Sequence, residues 1–271
     1  MTRTRSALVL LCLLVAAYFV LFRRFDGRAL GKADTTLPEP GTFVKRSISV
    51  NGTRYLYQVF IPRAYKTGQR WPVVVFIDGS SGRGNDGERM TTSALGAIVR
   101  ARASTYPAIV LFPQLPNDET FTRANAMAIC LAELDATVRN YNGDPKRIYL
   151  TGISFGGSIA YQLAYENPER FAALIPIASV YDDGAIIGIP NAPRGSSYPL
   201  VAQRLKNMPV AIYEGSEDPV VYAARAIAAA LRRIGGNVRY TEMPGLGHEV
   251  AVWESTYASR EFNAWLFAQH R

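Results

Sequence analysis

Arg147-Ile148-Tyr149-Leu150-Thr151-Gly152-Ile153-Ser154-Phe155-Gly156-Gly157 is the stretch on which the reading of this chain turns. A mostly apolar run with strand character, 147–151, meets a glycine-serine-glycine turn, and an apolar helix is expected over 158–165. A serine held on a sharp strand-to-helix turn has its hydroxyl pushed out of the backbone. The flanking backbone is then so close that only glycine fits two residues to either side. The pattern G-x-S-x-G alone recurs by chance in about one chain in ten of this length. The strand before it and the helix after it give the pattern meaning. The helix start also favours negative charge developing beside the serine.

An activated serine needs a base, and histidine is suited to that near neutral pH. The chain has two histidines. His270 is penultimate, where chain ends fray. His248 ends the loop Pro244-Gly245-Leu246-Gly247-His248, after an expected strand over 238–243, and is the candidate base. An orienting carboxylate is expected at Asp218, after the strand 209–213 and the loop 214–217. Asp218-Pro219 also reads as the opening of a helix over 220–234, and the two roles are compatible. Asp182 and Asp183 are the alternative acids. The order Ser154, Asp218, His248 is that of the α/β-hydrolases and differs from chymotrypsin and subtilisin. Each of the three follows an expected strand, where ligand chemistry collects in open α/β sheets.

Acyl transfer also needs backbone N–H groups aimed at the developing oxyanion. One is expected from Phe155, the residue after the serine. The other is expected from the loop Asp78-Gly79-Ser80-Ser81-Gly82-Arg83-Gly84, which follows the apolar strand 71–77. Ser80 is the first choice and Ser81 the second. No lysine of the phosphate-binding kind follows these glycines, so the loop is not a P-loop.

The chain resembles the α/β-hydrolases labelled predicted peptidases, phospholipase/carboxylesterases, and relatives of polyhydroxybutyrate depolymerases and feruloyl esterases. The resemblance runs from Gly41 to the C-terminus and is densest over 143–157, 167–173, 217–221 and 240–248. Carried over by position, Ser154 resembles the family nucleophile, Asp218 the acid and His248 the base. The resemblance implies ester hydrolysis of a small-molecule substrate through an acyl-enzyme, without a cofactor. Two residues depart from the pattern. Asp78-Gly79 stands where the family usually has His-Gly; an inward-pointing carboxylate there would repel an oxyanion, so the side chain is expected to point away. Phe155 stands where methionine is frequent, and its bulk narrows an acyl pocket. Peptide hydrolysis, or an inactive hydrolase fold that binds a partner, are the alternative readings.

The remaining pattern fits a single domain over 42–271. Asn51-Gly52 between the expected strands 42–50 and 53–61 marks an antiparallel hairpin. Strands at 73–77, 108–112, 147–151, 172–179, 210–213 and 238–243 alternate with helices near 90–102, 125–139, 158–165, 220–234 and 255–268. That alternation predicts an α/β fold: a mostly parallel sheet covered on both faces. Residues 181–205 show no period and read as a long connection or a substrate loop.

The net charge of +8 is uneven. Up to Lys32 there are six positive residues against Asp26 alone, which leaves +3 for everything after. Charge that flanks an apolar segment points to a membrane and away from nucleic acid. The segment 6–22 holds seventeen uncharged residues, the short end of a spanning helix. Residues 1–32 therefore read as an uncleaved anchor, with the catalytic domain outside the cytoplasm. Cleavage as a secretion signal near Val15-Ala16-Ala17 is the alternative. Residues 33–41, with Pro38 and Pro40, read as a linker. The two cysteines, Cys12 and Cys130, are placed too differently to pair, and Cys130 reads as a core residue of a helix face with Leu131 and Leu134. Two histidines and two scattered cysteines form no metal-ligand cluster.

Overall fold

The computed structural model describes residues 39–179 and 197–271. The segment 6–22, most of the linker 33–41 and the alternative acids Asp182 and Asp183 lie outside those residues. Among the described residues no helix is long and apolar enough to cross a membrane.

Eight strands form one sheet: β1 Thr42–Val50, β2 Thr53–Ile61, β3 Trp71–Ile77, β4 Ile109–Pro113, β5 Gly143–Ile153, β6 Ala173–Ile177, β7 Val210–Gly215 and β8 Val238–Met243. Their spatial order is β1-β2-β4-β3-β5-β6-β7-β8. The hairpin closes at Asn51-Gly52, and both residues have positive φ, as a tight primed turn requires. β2 runs antiparallel to β4, and every pair from β4 to β8 is parallel. Parallel strands covered on both sides read as unbroken apolar runs, and β4 and β6 are buried along their whole length. This is the α/β architecture the sequence predicts.

Seven α-helices lie among the described residues: α1 Ala94–Ala101, α2 Arg123–Asn140, α3 Phe155–Glu166, α4 Ser197–Leu205, α5 Val221–Arg233, α6 Val250–Ala258 and α7 Arg260–Ala268. Helices α2 to α5 pack on one face of the sheet, around Ile129, Leu134, Ile159, Leu163 and Ile227. Helices α1, α6 and α7 cover the other, around Leu95, Val99, Val252, Phe262 and Leu266. Cys130 and Leu134 are buried on α2, with Leu131 half-buried.

Two expectations are corrected. The helix expected over 255–268 is two helices, because Ser259 has extended backbone and its side chain caps α7 by accepting the Phe262 N–H. Helix α4 falls in a stretch that shows no period in the sequence. Its buried Ser197, Val201, Ala202 and Leu205 do recur at helical spacing, but Pro199 in the first turn obscures it.

Candidate active site

Ser154 stands at the joint between β5 and α3, with φ 51° and ψ −124°. For a residue with a side chain this is a costly conformation, of order 1–3 kcal/mol, and it must be imposed by its surroundings. The neighbours show how. A Cβ on Gly152 would lie 2.4 Å from the Gly156 carbonyl oxygen, and one on Gly156 would lie 2.1 Å from the Ile77 carbonyl oxygen. The turn is thus clamped between its own helix and the end of β3. The Ser154 N–H donates to the Ile177 carbonyl of β6 at 2.9 Å.

His248 and Asp218 are brought in by two loops stitched to each other. The Ser216 N–H donates to Met243, the Glu217 N–H to Leu246, and the Gly245 N–H to the Ser216 hydroxyl. Gly215 makes room, because a Cβ there would stand 2.4 Å from the Leu246 carbonyl oxygen. His248 Nε2 then lies 2.8 Å from Ser154 Oγ, and His248 Nδ1 lies 2.6 Å from Asp218 Oδ2. A carboxylate oxygen only accepts, so Nδ1 carries the proton and Nε2 is left to accept from the serine hydroxyl. The imidazole is a third exposed and its edge meets the Trp253 ring of α6 at a centroid distance of 5.8 Å. Asp218 is buried, and its second oxygen accepts the Val220 N–H at 2.9 Å. Asp218 therefore orders the turn before α5 as well as facing the imidazole, although α5 itself begins at Val221.

The loop after β3 passes beside the serine: a Cβ on Gly79 would touch the Ser154 Cβ at 3.5 Å. Ser80 opens a short 3₁₀ turn, Ser80–Gly82, and Phe155 is the first residue of α3. First-turn N–H groups have no partner within their own helix. Asp78 does not face outward into this space. Its carboxylate is folded under the loop, accepting the Gly79 N–H at 2.8 Å and the Ser93 hydroxyl at 3.3 Å. It fills the space beneath Gly82, where a Cβ would stand 2.3 Å from Asp78 Oδ2. Burial pushes the Asp78 carboxyl up to about 6, against the lowering effect of those two hydrogen bonds.

Phe155 forms one wall with Phe121, their ring centroids 5.5 Å apart. The Arg83 guanidinium lies over both rings, at 4.3 Å from Phe121 and 5.0 Å from Phe155. It is held there by two hydrogen bonds to the Pro116 carbonyl. A separate cleft of about 290 Å³, lined by Gln69, Trp71, Arg147 and Phe267, reaches neither Ser154 nor His248. His270 is exposed at the chain's end.

Four residues at this site are not among those the sequence singles out: Ser93 under Asp78, Phe121 against Phe155, Trp253 against His248, and Glu214 beside Asp218. Only Glu214 leaves a mark in the sequence, as an acidic residue closing an otherwise apolar strand, β7.

Residues 48–271 match the model of a family described as "Putative esterase". The chain is similar to a thermostable esterase of known structure, with 29% identity and a TM-score of 0.67, over 84% of this chain and 63% of that one. It thus spans less than two thirds of that esterase's length. A feruloyl esterase module from Clostridium thermocellum, complexed with sinapinate, aligns with TM-score 0.62 and 16% identity over 82% of this chain and 88% of that one. An S-formylglutathione hydrolase from Staphylococcus aureus aligns with TM-score 0.64 and 13% identity over 83% and 98%. At such identities the likeness establishes the fold. No curated protein matches the chain.

Proposed function

The chain belongs to this esterase family, and on that premise we propose that it cleaves small carboxylic esters through Ser154, His248 and Asp218. The observation that carries the reading is the pair of contacts at 2.8 Å and 2.6 Å joining the three side chains. Ser154 Oγ attacks the ester carbonyl carbon while Nε2 takes its proton. Asp218 holds the imidazole in the required tautomer and faces the positive charge that develops on it. The N–H groups of Phe155 and Ser80 hold the oxyanion, with the α3 N-terminus adding to the field. As the tetrahedral adduct collapses, Nε2 returns the proton to the departing alcohol and an acyl-serine remains. Water then attacks that acyl group with His248 again as base, the carboxylic acid leaves and Ser154 recovers its proton. The burial of the Asp78 carboxylate under its own loop supports a working oxyanion site. The Phe155 and Phe121 pair next to Ser154, capped by the Arg83 guanidinium, supports an aromatic boundary to the acyl site.

Labelling with a fluorophosphonate tests this. The wild type takes up one equivalent, and Ser154→Ala takes up none; a wild type that stays unlabelled refutes it. Turnover of nitrophenyl esters without turnover of the matching anilides separates an esterase from a peptidase. We also propose that residues 1–32 anchor the protein to a membrane with the hydrolase domain outside the cytoplasm, on the strength of the uncharged run 6–22 and its flanking arginines. Release from membranes by carbonate, without detergent, would refute the anchor.

A further inference from the structure

Glu214 is the last side chain of β7, four residues before Asp218, and it is wholly buried. Neither of its oxygens has a hydrogen bond of full geometry. What lies against them is the Asp218 carboxylate, with the Gly215 and Ser179 backbone N–H groups nearby. No basic side chain forms an ion pair with Glu214 among the described residues. On β8, Glu242 stands opposite Glu214 in register, and that carboxylate is already taken by Arg225 and Tyr240. The Ser179 hydroxyl, two residues past the end of β6, is buried without a hydrogen bond. Its Oγ lies 3.1 Å from where a Cβ on Gly157 would stand, so this polar pocket backs onto the nucleophile turn.

Two buried carboxyls in contact, without a cation between them, cannot both be charged. Asp218 accepts from Val220 and from His248, which secures its charged form. The proton therefore resides on Glu214. Resting on the esterase reading above, we infer that Glu214 is a positioning residue which, as a neutral acid, donates a hydrogen bond to Asp218 and so fixes the carboxylate against His248. It touches no substrate and acts only through Asp218. Loss of its proton would put two like charges side by side and push Asp218 off the imidazole. Burial, and then the Asp218 charge, push the Glu214 carboxyl up to about 9, which places that loss in a measurable range.

The test follows the rate of fluorophosphonate labelling from pH 6 to pH 10.5 in the wild type, Glu214→Gln and Glu214→Leu, with circular dichroism to verify that each stays folded. In the wild type the rate falls above about pH 9, approaching tenfold per pH unit. Glu214→Gln keeps a permanent N–H donor in the same place, so it labels within about threefold of wild type at neutral pH and loses the alkaline fall. Glu214→Leu, without a donor, labels about tenfold or more slowly at every pH, again without the fall. A wild-type rate that stays flat to pH 10.5 while the protein remains folded overturns the proposal, whether or not either variant folds. So does an alkaline fall retained unchanged in Glu214→Gln. A wild type unlabelled at every pH, which is a different outcome, overturns the serine-hydrolase reading and this inference with it.

Discussion

Asp78→Asn should stabilise the protein, and only above a definable pH. The carboxyl is 5% exposed and its folded value is about 6, against 3.8 for the free group. Between those values the folded chain binds a proton that the unfolded chain has already released. Stability therefore falls as pH rises through that window, and the full cost is present above it. A displacement of about two pH units corresponds to about 3 kcal/mol. Asparagine is neutral throughout. It can accept the Gly79 N–H as Asp78 does, and donate to the Ser93 hydroxyl. The variant and the wild type should accordingly melt together near pH 3.5 and diverge across pH 4 to 6. Above pH 7 the variant should melt higher by about 6–12 °C, at about 2–4 °C per kcal/mol for a domain of this size. Thermal melts followed by circular dichroism at six or seven pH values measure this. A gap between the two proteins that does not change with pH refutes the burial cost assigned to Asp78.

Two further substitutions probe the same frame. Gly156→Ala places a methyl group 2.1 Å from the Ile77 carbonyl oxygen, a backbone atom that cannot step aside, so a loss of about 3 kcal/mol or more in a urea titration and loss of labelling are expected. Unchanged stability would mean that the turn is not clamped by β3. Glu133 is fully buried in α2, both of its oxygens lack hydrogen bonds, and burial pushes its carboxyl well above the usual carboxylate range. Glu133→Leu should therefore raise the unfolding free energy from a urea titration at pH 7 by about 1–3 kcal/mol and leave labelling intact; destabilisation would show that the carboxyl does have a partner.

Much of this architecture is legible in the order of the amino acids, for identifiable reasons. Strands sandwiched between helices are apolar without interruption, so β3, β4 and β6 announce themselves, as does β7 up to Tyr213. The Asn51-Gly52 turn and the glycines around Ser154 are local steric demands and leave local signatures. The grouping of Ser154, Asp218 and His248 follows from chain order together with the rule that chemistry gathers at strand ends. The sheet order does not follow, since β4 lies between β2 and β3 through pairings that no local pattern encodes. The break at Ser259 is hidden because neither glycine nor proline marks it. The Asp78 side chain is held by Ser93, which lies outside its loop, and by the space beneath Gly82, whose use shows only once the loop is folded. Glu214 is visible as an anomaly in β7, but its meaning depends on which carboxylate is folded against it.

The Ser154 hydroxyl and the His248 ring meet across 94 residues of chain, and β5, β6, β7 and β8 must all be in register before they do. Contacts of such long range are the slow ones to form. A nascent or partly folded chain thus carries an inert serine. On the proposed reading, the chemistry would switch on late, as one of the final events of folding, and go out first when the carboxy-terminal half of the sheet begins to open.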